Sequence, residues 1–213
     1  MAGDDRDTLQ FYAREAEKYA NRDKDRSYRH LDAFLKRLHQ GCSILELGCG
    51  GGDDSAYMLA KGFAVTPTDG SPELAREAHK RLGLPVLVRK FHEFDDHNEY
   101  DAVWASACLL HVPRAGLPDV LLRIRRALTP GGLFFASYKA GSEEGRDTFG
   151  RYYNYPSRQW LRSAYGAGWQ TIEITGHKGG GYDNQPTEWL HVITMKDADP
   201  CPSGKDSLAD NRR

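Results

Sequence analysis

A chain of 213 residues, 39% hydrophobic and 28% charged, can fill one ordinary core and is too short for two comfortable domains. Lys plus Arg number 29 against 30 for Asp plus Glu, a formal net charge of -1, so no global field draws polyanions and nucleic acid is a poor default partner. No apolar run is long enough for a membrane span and "MAGDDRDTLQ" is acidic and polar, so a soluble cytoplasmic protein with no membrane partner is expected, monomer or dimer. Cys42, Cys49, Cys108 and Cys201 show neither a C-x-x-C pair nor histidine spacing, so no disulfide framework and no metal site is expected.

In chain order, "RDTLQFYAREAEKYANR" and "SYRHLDAFLKRLHQG" carry apolar residues at three and four spacing, which predicts two amphipathic helices before Gly41. "SILELG" reads as a short buried strand, and "DDSAYMLAKG" as a helix that starts at the glycines. The alternation continues: strand "FAVTPTD", helix "SPELAREAHKRLG", strands "PVLVRK" and "YDAVWAS", helix "GLPDVLLRIRRALTPGG", strand "LFFASYK". This order predicts a parallel sheet with crossover helices. Ser71 as cap and Pro72 at the first helical position mark the sharpest local boundary. A helix "RQWLRSAYGAG" follows, then "WQTIEITGH" and "TEWLHVITMK", which are close in sequence and predict an antiparallel hairpin around "KGGGYDNQP". The expected division is helices over 1–40, one domain over 41–196 and a disordered tail over 197–213, where "DADPCPSGKDSLADNRR" lacks periodicity.

The stretch "ILELGCGGGDDS" puts a glycine turn between a strand and a helix, where backbone can approach a ligand and the helix offers unpaired N–H groups. A phosphate loop would need G-K-[ST] after its glycines, and the dinucleotide pattern G-x-G-x-x-G from Gly48 would need glycine where Asp53 stands. Glu46, Asp53 and Asp54 would repel a pyrophosphate. They suit a ligand with an ammonium, a sulfonium and ribose hydroxyls instead.

"LELGCGGG" resembles motif I of the class I S-adenosylmethionine-dependent methyltransferases, an acidic residue followed by x-G-x-G-x-G, filled here by Glu46, Gly48, Gly50 and Gly52. Asp69 in "VTPTDGS" stands at the end of the next strand, about twenty residues on, where such an acid bonds ribose hydroxyls. "YDAVWASACLLHV" and "LTPGGLFFAS" resemble two further landmarks of the family, so the resemblance covers about residues 40–195. It implies a three-layer α/β sandwich, Rossmann-like, with a seven-stranded mostly parallel sheet and an antiparallel terminal hairpin. "YKAGSEEGRDTFGRYYNYP" and "EWLHVI" are similar to a bacterial subgroup labelled tellurite-resistance-related or uncharacterised.

The activity so implied is methyl transfer from S-adenosylmethionine to a small-molecule acceptor, leaving S-adenosylhomocysteine. The cofactor residues implied are Glu46, Gly48, Cys49, Gly50, Gly52, Asp69 and Gly70, with Phe91, His92 and Glu93 at the adenine, Ala105 and Ser106 at the methionine, and Tyr12, Tyr19 and Arg26 from the helical lid. His111 stands where the methyl group should project and is the candidate base, with a substrate contact or simple packing as other readings. Lys139, Arg146, Arg151, Tyr152, Tyr153, Tyr155, Asp183 and Trp189 offer cations and rings for an acceptor pocket, suited to an anion. A solvated loop is the plainer reading of that stretch. Two rival functions stay open: a nicotinamide-dependent oxidoreductase, and a module that binds the cofactor without turnover or acts on protein or RNA. The base-modifying tetrad [DN]-P-P-[FYW] is absent after the fourth strand, and the Pro200–Cys201 pair lies in the tail.

Overall fold

The computed structural model describes residues 4–22, 27–182 and 185–198. Arg26, Asp183 and Cys201, and the expected tail from residue 199 on, lie outside the described residues.

Strand β1 (Ser43–Glu46) is central, and helix α4 (Asp53–Ala60) leaves it through the glycine turn. Strand β2 (Ala64–Asp69), helix α5 (Pro72–Leu82) and strand β3 (Leu87–Val88) extend the sheet to one side. On the other side come β4 (Tyr100–Ala105), helix α6 (Leu117–Ala127) and β5 (Leu128–Lys139). A short hairpin of β6 (Gly145–Arg146) and β7 (Tyr152–Tyr153) precedes helix α7 (Arg158–Tyr165), and the long hairpin of β8 (Glu173–Gly180) and β9 (Pro186–Met195) ends the described fold. The sheet order is β3-β2-β1-β4-β5-β9-β8, with β9 antiparallel to both neighbours and the other pairs parallel. This is the expected seven-stranded sheet with its antiparallel terminal hairpin.

Period-two alternation in the buried strands builds a core on each face. Leu45, Val103, Phe134 and Ala136 point toward α6 and α7, where Val120, Leu121, Ile124 and Leu161 meet them. Ile44, Ala102, Trp104 and Phe135 point the other way, toward Met58 of α4 and Leu31, Phe34 and Leu35 of helix α3 (Arg29–Leu35). No helix among the described residues is long and apolar enough to cross a membrane.

Several expected boundaries move for local reasons. The first predicted helix is two, α1 (Arg6–Arg14) and α2 (Ala16–Asn21), broken at Glu15, whose ψ of 7° leaves the helical region. Strand β3 is two residues long against the six expected, because Pro85 has no N–H to donate and the Lys90 N–H is taken by the Glu93 carboxylate at 2.8 Å. Strand β5 begins at Leu128 rather than Leu133, and the "TPGG" segment is accommodated as a register shift against β4. Ser71 does cap α5, its Oγ accepting from the Leu74 N–H at 3.3 Å with Pro72 in the first turn.

Candidate active site

The glycine turn closes the C-terminal end of β1 and holds its shape through backbone bonds. The Leu47 N–H donates to Trp104 O of β4, the Cys49 N–H to Thr68 O of β2, and the Gly52 N–H to Cys49 O, each at 2.9 Å. Gly48 has φ of 62° and sits so close to β4's following loop that a Cβ there would lie 2.5 Å from Cys108 Cβ; only glycine fits. Gly51 faces Ala20 of α2, whose Cα would be 2.9 Å from an added Cβ, so the N-terminal helices rest directly on the turn. Arg81 of α5 fastens the same helix, donating to Ala20 O at 3.0 Å.

Asp69 ends β2 beside the turn and is buried. Its Oδ2 accepts from the Gly50 N–H at 2.9 Å and its Oδ1 from the Ser71 N–H at 2.8 Å. Burial raises the carboxyl to about 6, against the opposing pull of these two backbone donors. A cleft of about 650 Å³, counted out to its mouth, opens from here. Gly48, Gly50, Asp69 and Gly70 form its floor, Leu74 and Phe91 its apolar wall, and Thr8, Leu9 and Tyr12 of α1 its cover. At its far end a smaller recess joins Glu46, Cys49, Asp53 and Asp54 to Tyr19 and Arg22. Glu46 is pushed well above the ordinary carboxyl range by burial, with the Asp54 charge adding to it, and its carboxylate accepts from the Ser55 hydroxyl.

A second, wider basin adjoins the cleft across Tyr12, Tyr19, Ala107 and His111 and encloses about 1860 Å³ on the same measure. Its wall is aromatic and cationic, with Phe11, Tyr153, Tyr182 and Trp189 around Lys139 and Arg151. Arg151 is 1% exposed and pairs with Asp147 at 2.6 Å, caged by the rings of Phe11, Phe149, Tyr153 and Tyr182 at 4.9–5.4 Å from its guanidinium. Tyr12 links it to the cleft: Arg151 Nη1 donates to the Tyr12 hydroxyl at 3.2 Å, and that hydroxyl lies 2.9 Å from His111 Nε2. His111 Nδ1 sits 2.6 Å from the Tyr152 carbonyl, which only accepts, so Nδ1 carries the proton and Nε2 receives the Tyr12 hydroxyl proton. Burial, with Arg151 nearby, lowers this imidazole to about 3.

Most expected site residues converge here, and several are corrected. His92 lies outside the cleft, its Nδ1 paired with Asp4, and Glu93 folds back to cap Lys90. Arg89, Lys90 and Leu74 take those places in the lining. Gly52 packs against Ala78 and Leu82 instead of facing the cleft, and Ala105 is fully buried beneath Ser106, which does line it. Arg146 is exposed and bound to Asp5, and Tyr152 turns to Glu144; its strand neighbour Tyr153 takes the inward position, since successive strand residues face opposite ways. Asp53 is paired with Arg81, so its charge at the turn is largely compensated by α5. Sequence reasoning missed Arg22, stacked 3.6 Å from the Tyr19 ring centroid, and Ala107, a non-glycine with φ of 52° that borders both cavities and the recess. An arginine near the end of the lid helix was a readable signal, though the expectation fell on Arg26.

Residues 44–132 match a family model described as a methyltransferase domain. That segment is a methyltransferase domain by its family match, and the sheet order over the described residues is that of the class I methyltransferase fold. An uncharacterized methyltransferase of Synechocystis is 31% identical over 46% of this chain and 47% of its own length. The ubiquinone biosynthesis O-methyltransferase of Paramagnetospirillum magneticum is 31% identical over 50% of this chain and 44% of its own length. The chain therefore spans about half the length of the curated relatives it matches. The 1,6-didemethyltoxoflavin-N1-methyltransferase of Burkholderia thailandensis, solved with bound 1,6-didemethyltoxoflavin and S-adenosylhomocysteine, superposes with a TM-score of 0.69 at 20% identity, over 90% of this chain and 88% of that one. It shares the fold of the domain.

The residues present fit S-adenosylmethionine. A Cβ on Gly50 would approach Tyr19 Cε1 to 3.3 Å and fill the passage between turn and lid, so bare backbone is needed there. Asp69 offers a buried acceptor for a diol, Phe91 a ring for a flat base, and the recess sets the donor Arg22 against the acceptors Glu46 and Asp54, the complement of a zwitterion.

Proposed function

We propose that the protein transfers a methyl group from S-adenosylmethionine to a small acceptor that combines an aromatic or flat apolar body with negative charge. The observation that carries the acceptor class is the basin beside the cleft, where Lys139 is set among Phe11, Tyr153 and Trp189 while the charge of Arg151 is met by Asp147. S-adenosylmethionine, when bound, supplies a methyl group already activated by its sulfonium. Asp69 accepts from the ribose hydroxyls, Tyr19 and Arg22 receive the amino-acid carboxylate, and the Gly48–Gly50 backbone lets the ligand lie close. The helices α1 and α2 act as the lid, since Thr8, Leu9 and Tyr12 cover the cleft and keep water from it.

What remains for the chain is alignment. Tyr12 and His111 stand at the border between cleft and basin, and their hydrogen bonds to Arg151 and to the Tyr152 carbonyl hold that border in one arrangement. An imidazole lowered to about 3, with its only lone pair already accepting from Tyr12, is a poor base. His111 is a positioning residue in this reading. His111→Gln is expected to lower kcat/KM by only about tenfold with an unchanged pH profile, whereas loss of a general base costs roughly 10² to 10⁴ and removes the acid limb. Steady-state kinetics across pH decides between them.

The function itself is tested by titrating S-adenosylhomocysteine calorimetrically and by scoring S-adenosylhomocysteine release from S-adenosylmethionine across phenolic, carboxylate and heteroaromatic acceptors. One site per chain and turnover confined to anionic aromatic acceptors is the expected outcome. Turnover with neutral aliphatic amines alone would overturn the acceptor class, and absence of cofactor binding would overturn the whole reading.

A further inference from the structure

On the far edge of the sheet two histidines of the terminal hairpin meet a third from the N-terminal helices. His30 stands on α3, His177 on the edge strand β8 and His191 on β9. In the β8–β9 register His191 faces Thr175 and His177 faces Trp189, so the two histidines are diagonal neighbours on one face of the sheet. Their ring centroids are 4.3 Å apart, and His30 lies over both, at 4.7 Å from His177 and 4.1 Å from His191. One ring nitrogen from each lies within 4.8 Å of the others. None of the three lines the cleft, its recess or the basin.

Packing alone leaves this arrangement unexplained. His191 is buried on the Phe135 ring, and the Nδ1 atoms of both His177 and His191 are buried with no hydrogen-bond partner. A buried imidazole nitrogen without a partner is unfavourable, and two of them side by side ask for a shared partner. A neutral imidazole, the ordinary form near pH 7.5, offers a lone pair to a metal. His30 Nε2 already acts as an acceptor, 3.0 Å from Arg29 Nε, and Arg29 is exposed and free to swing away.

From this geometry we infer that His30, His177 and His191 form a binding site for a zinc-class divalent transition-metal ion that clips α3 to the β8–β9 hairpin. Three neutral nitrogen donors select zinc, cobalt or nickel over magnesium and calcium, which take oxygen ligands. Tetrahedral coordination at zinc–nitrogen distances near 2 Å needs the nitrogens about 3.3 Å apart, so the rings draw together by rotamer adjustment and a water completes the shell. The scattered cysteines gave no hint of this site. His177 and His191 share one hairpin, but His30 stands far upstream on α3, and only the fold brings it to them.

The test uses the full chain, without an affinity tag and stripped with chelator, near pH 7.5. Zinc titration by calorimetry and cobalt titration by visible absorption should each show one site per chain, with no response to magnesium or calcium. His30→Gln, on the surface of α3, and His177→Gln, on the edge strand, should each weaken the site by about tenfold or more. Zinc should raise the melting temperature of the parent chain and leave that of His30→Gln unchanged. Affinity for S-adenosylhomocysteine should be the same in parent and variants, which separates this result from the proposed methyl transfer. Equal zinc affinity in the parent and both variants, no saturable binding, or binding without a melting shift would overturn the proposal.

Discussion

Arg151→Met is expected to lower the free energy of unfolding at neutral pH by about 3–5 kcal/mol, the usual cost of removing one partner of a buried ion pair. The chain offers little relief at this position. Arg151 is 1% exposed, and the side chain of Asp147, its partner at 2.6 Å, is 7% exposed, so the remaining carboxylate would be left in a dry site without its partner. The methionine keeps the volume and the ring contacts with Phe11 and Tyr182, which isolates the lost charge from a lost packing contribution. Melting should fall on the order of 10 °C for a domain of this size. Adding Asp147→Asn should restore about half of the loss, because the amide oxygen can still accept the Phe149 and Arg151 N–H bonds that Asp147 Oδ1 receives at 3.0 Å. Chemical denaturation of the parent, the single and the double variant measures all of this. A single variant within about 1 kcal/mol of the parent would mean that the pair is relaxed by water and that the basin wall is softer than its burial implies.

The Arg151 cluster also shows where reading by sequence stops. Strand β1, the glycine turn, the Ser71–Pro72 cap and Asp69 at the end of β2 were legible because each shows as a pattern within its own short stretch of sequence, even where its partners lie farther off. The inward turn of Tyr153 rather than Tyr152, by contrast, depends on the register of a two-residue strand, which no periodicity can reveal. His92 and Glu93 looked suited to an adenine, yet Asp4 and the Lys90 backbone, partners set by the N-terminal segment and a one-turn helix, take them out of the cleft. Tyr12 was readable as a lid residue, but its bridge from Arg151 to His111 spans 139 and 99 residues of sequence. Charge was legible in sign and not in compensation: three acids at the turn do disfavour phosphate, but Asp53 is tied to Arg81 and Asp54 accepts from Trp104 Nε1 at 2.9 Å. Glu46 and Asp69 remain as the buried acids that shape the cleft.

Of these, Asp69 carries the second large effect. Asp69→Ala is expected to weaken S-adenosylhomocysteine binding by roughly a hundredfold or more near pH 7.5, about 3 kcal/mol, the loss of two charge-assisted hydrogen bonds to the proposed ribose diol. The pH dependence makes the assignment specific. With its carboxyl raised to about 6 by burial, Asp69 holds a proton more tightly in the folded chain than in the unfolded one. Its contribution to stability is therefore full below about pH 4 and is lost as the pH rises through about 6, a fall of about 3 kcal/mol. Ligand binding runs the other way. A diol donates to the ionised carboxylate, so affinity should climb by up to about tenfold per pH unit below 6 and level off above 7. Asp69→Asn retains a side-chain oxygen for one of the backbone N–H groups now bound at 2.8 and 2.9 Å and should flatten both curves together. The comparison rests on the difference between parent and Asp69→Asn, because Asp5 and Glu73 are held below the ordinary carboxyl range and stabilise in the opposite sense. Calorimetric affinities and urea midpoints from pH 4 to 8 give both curves. An affinity that climbs through pH 6 equally in the parent and in Asp69→Asn would move the titrating group to Glu46 and take the ribose contact away from Asp69.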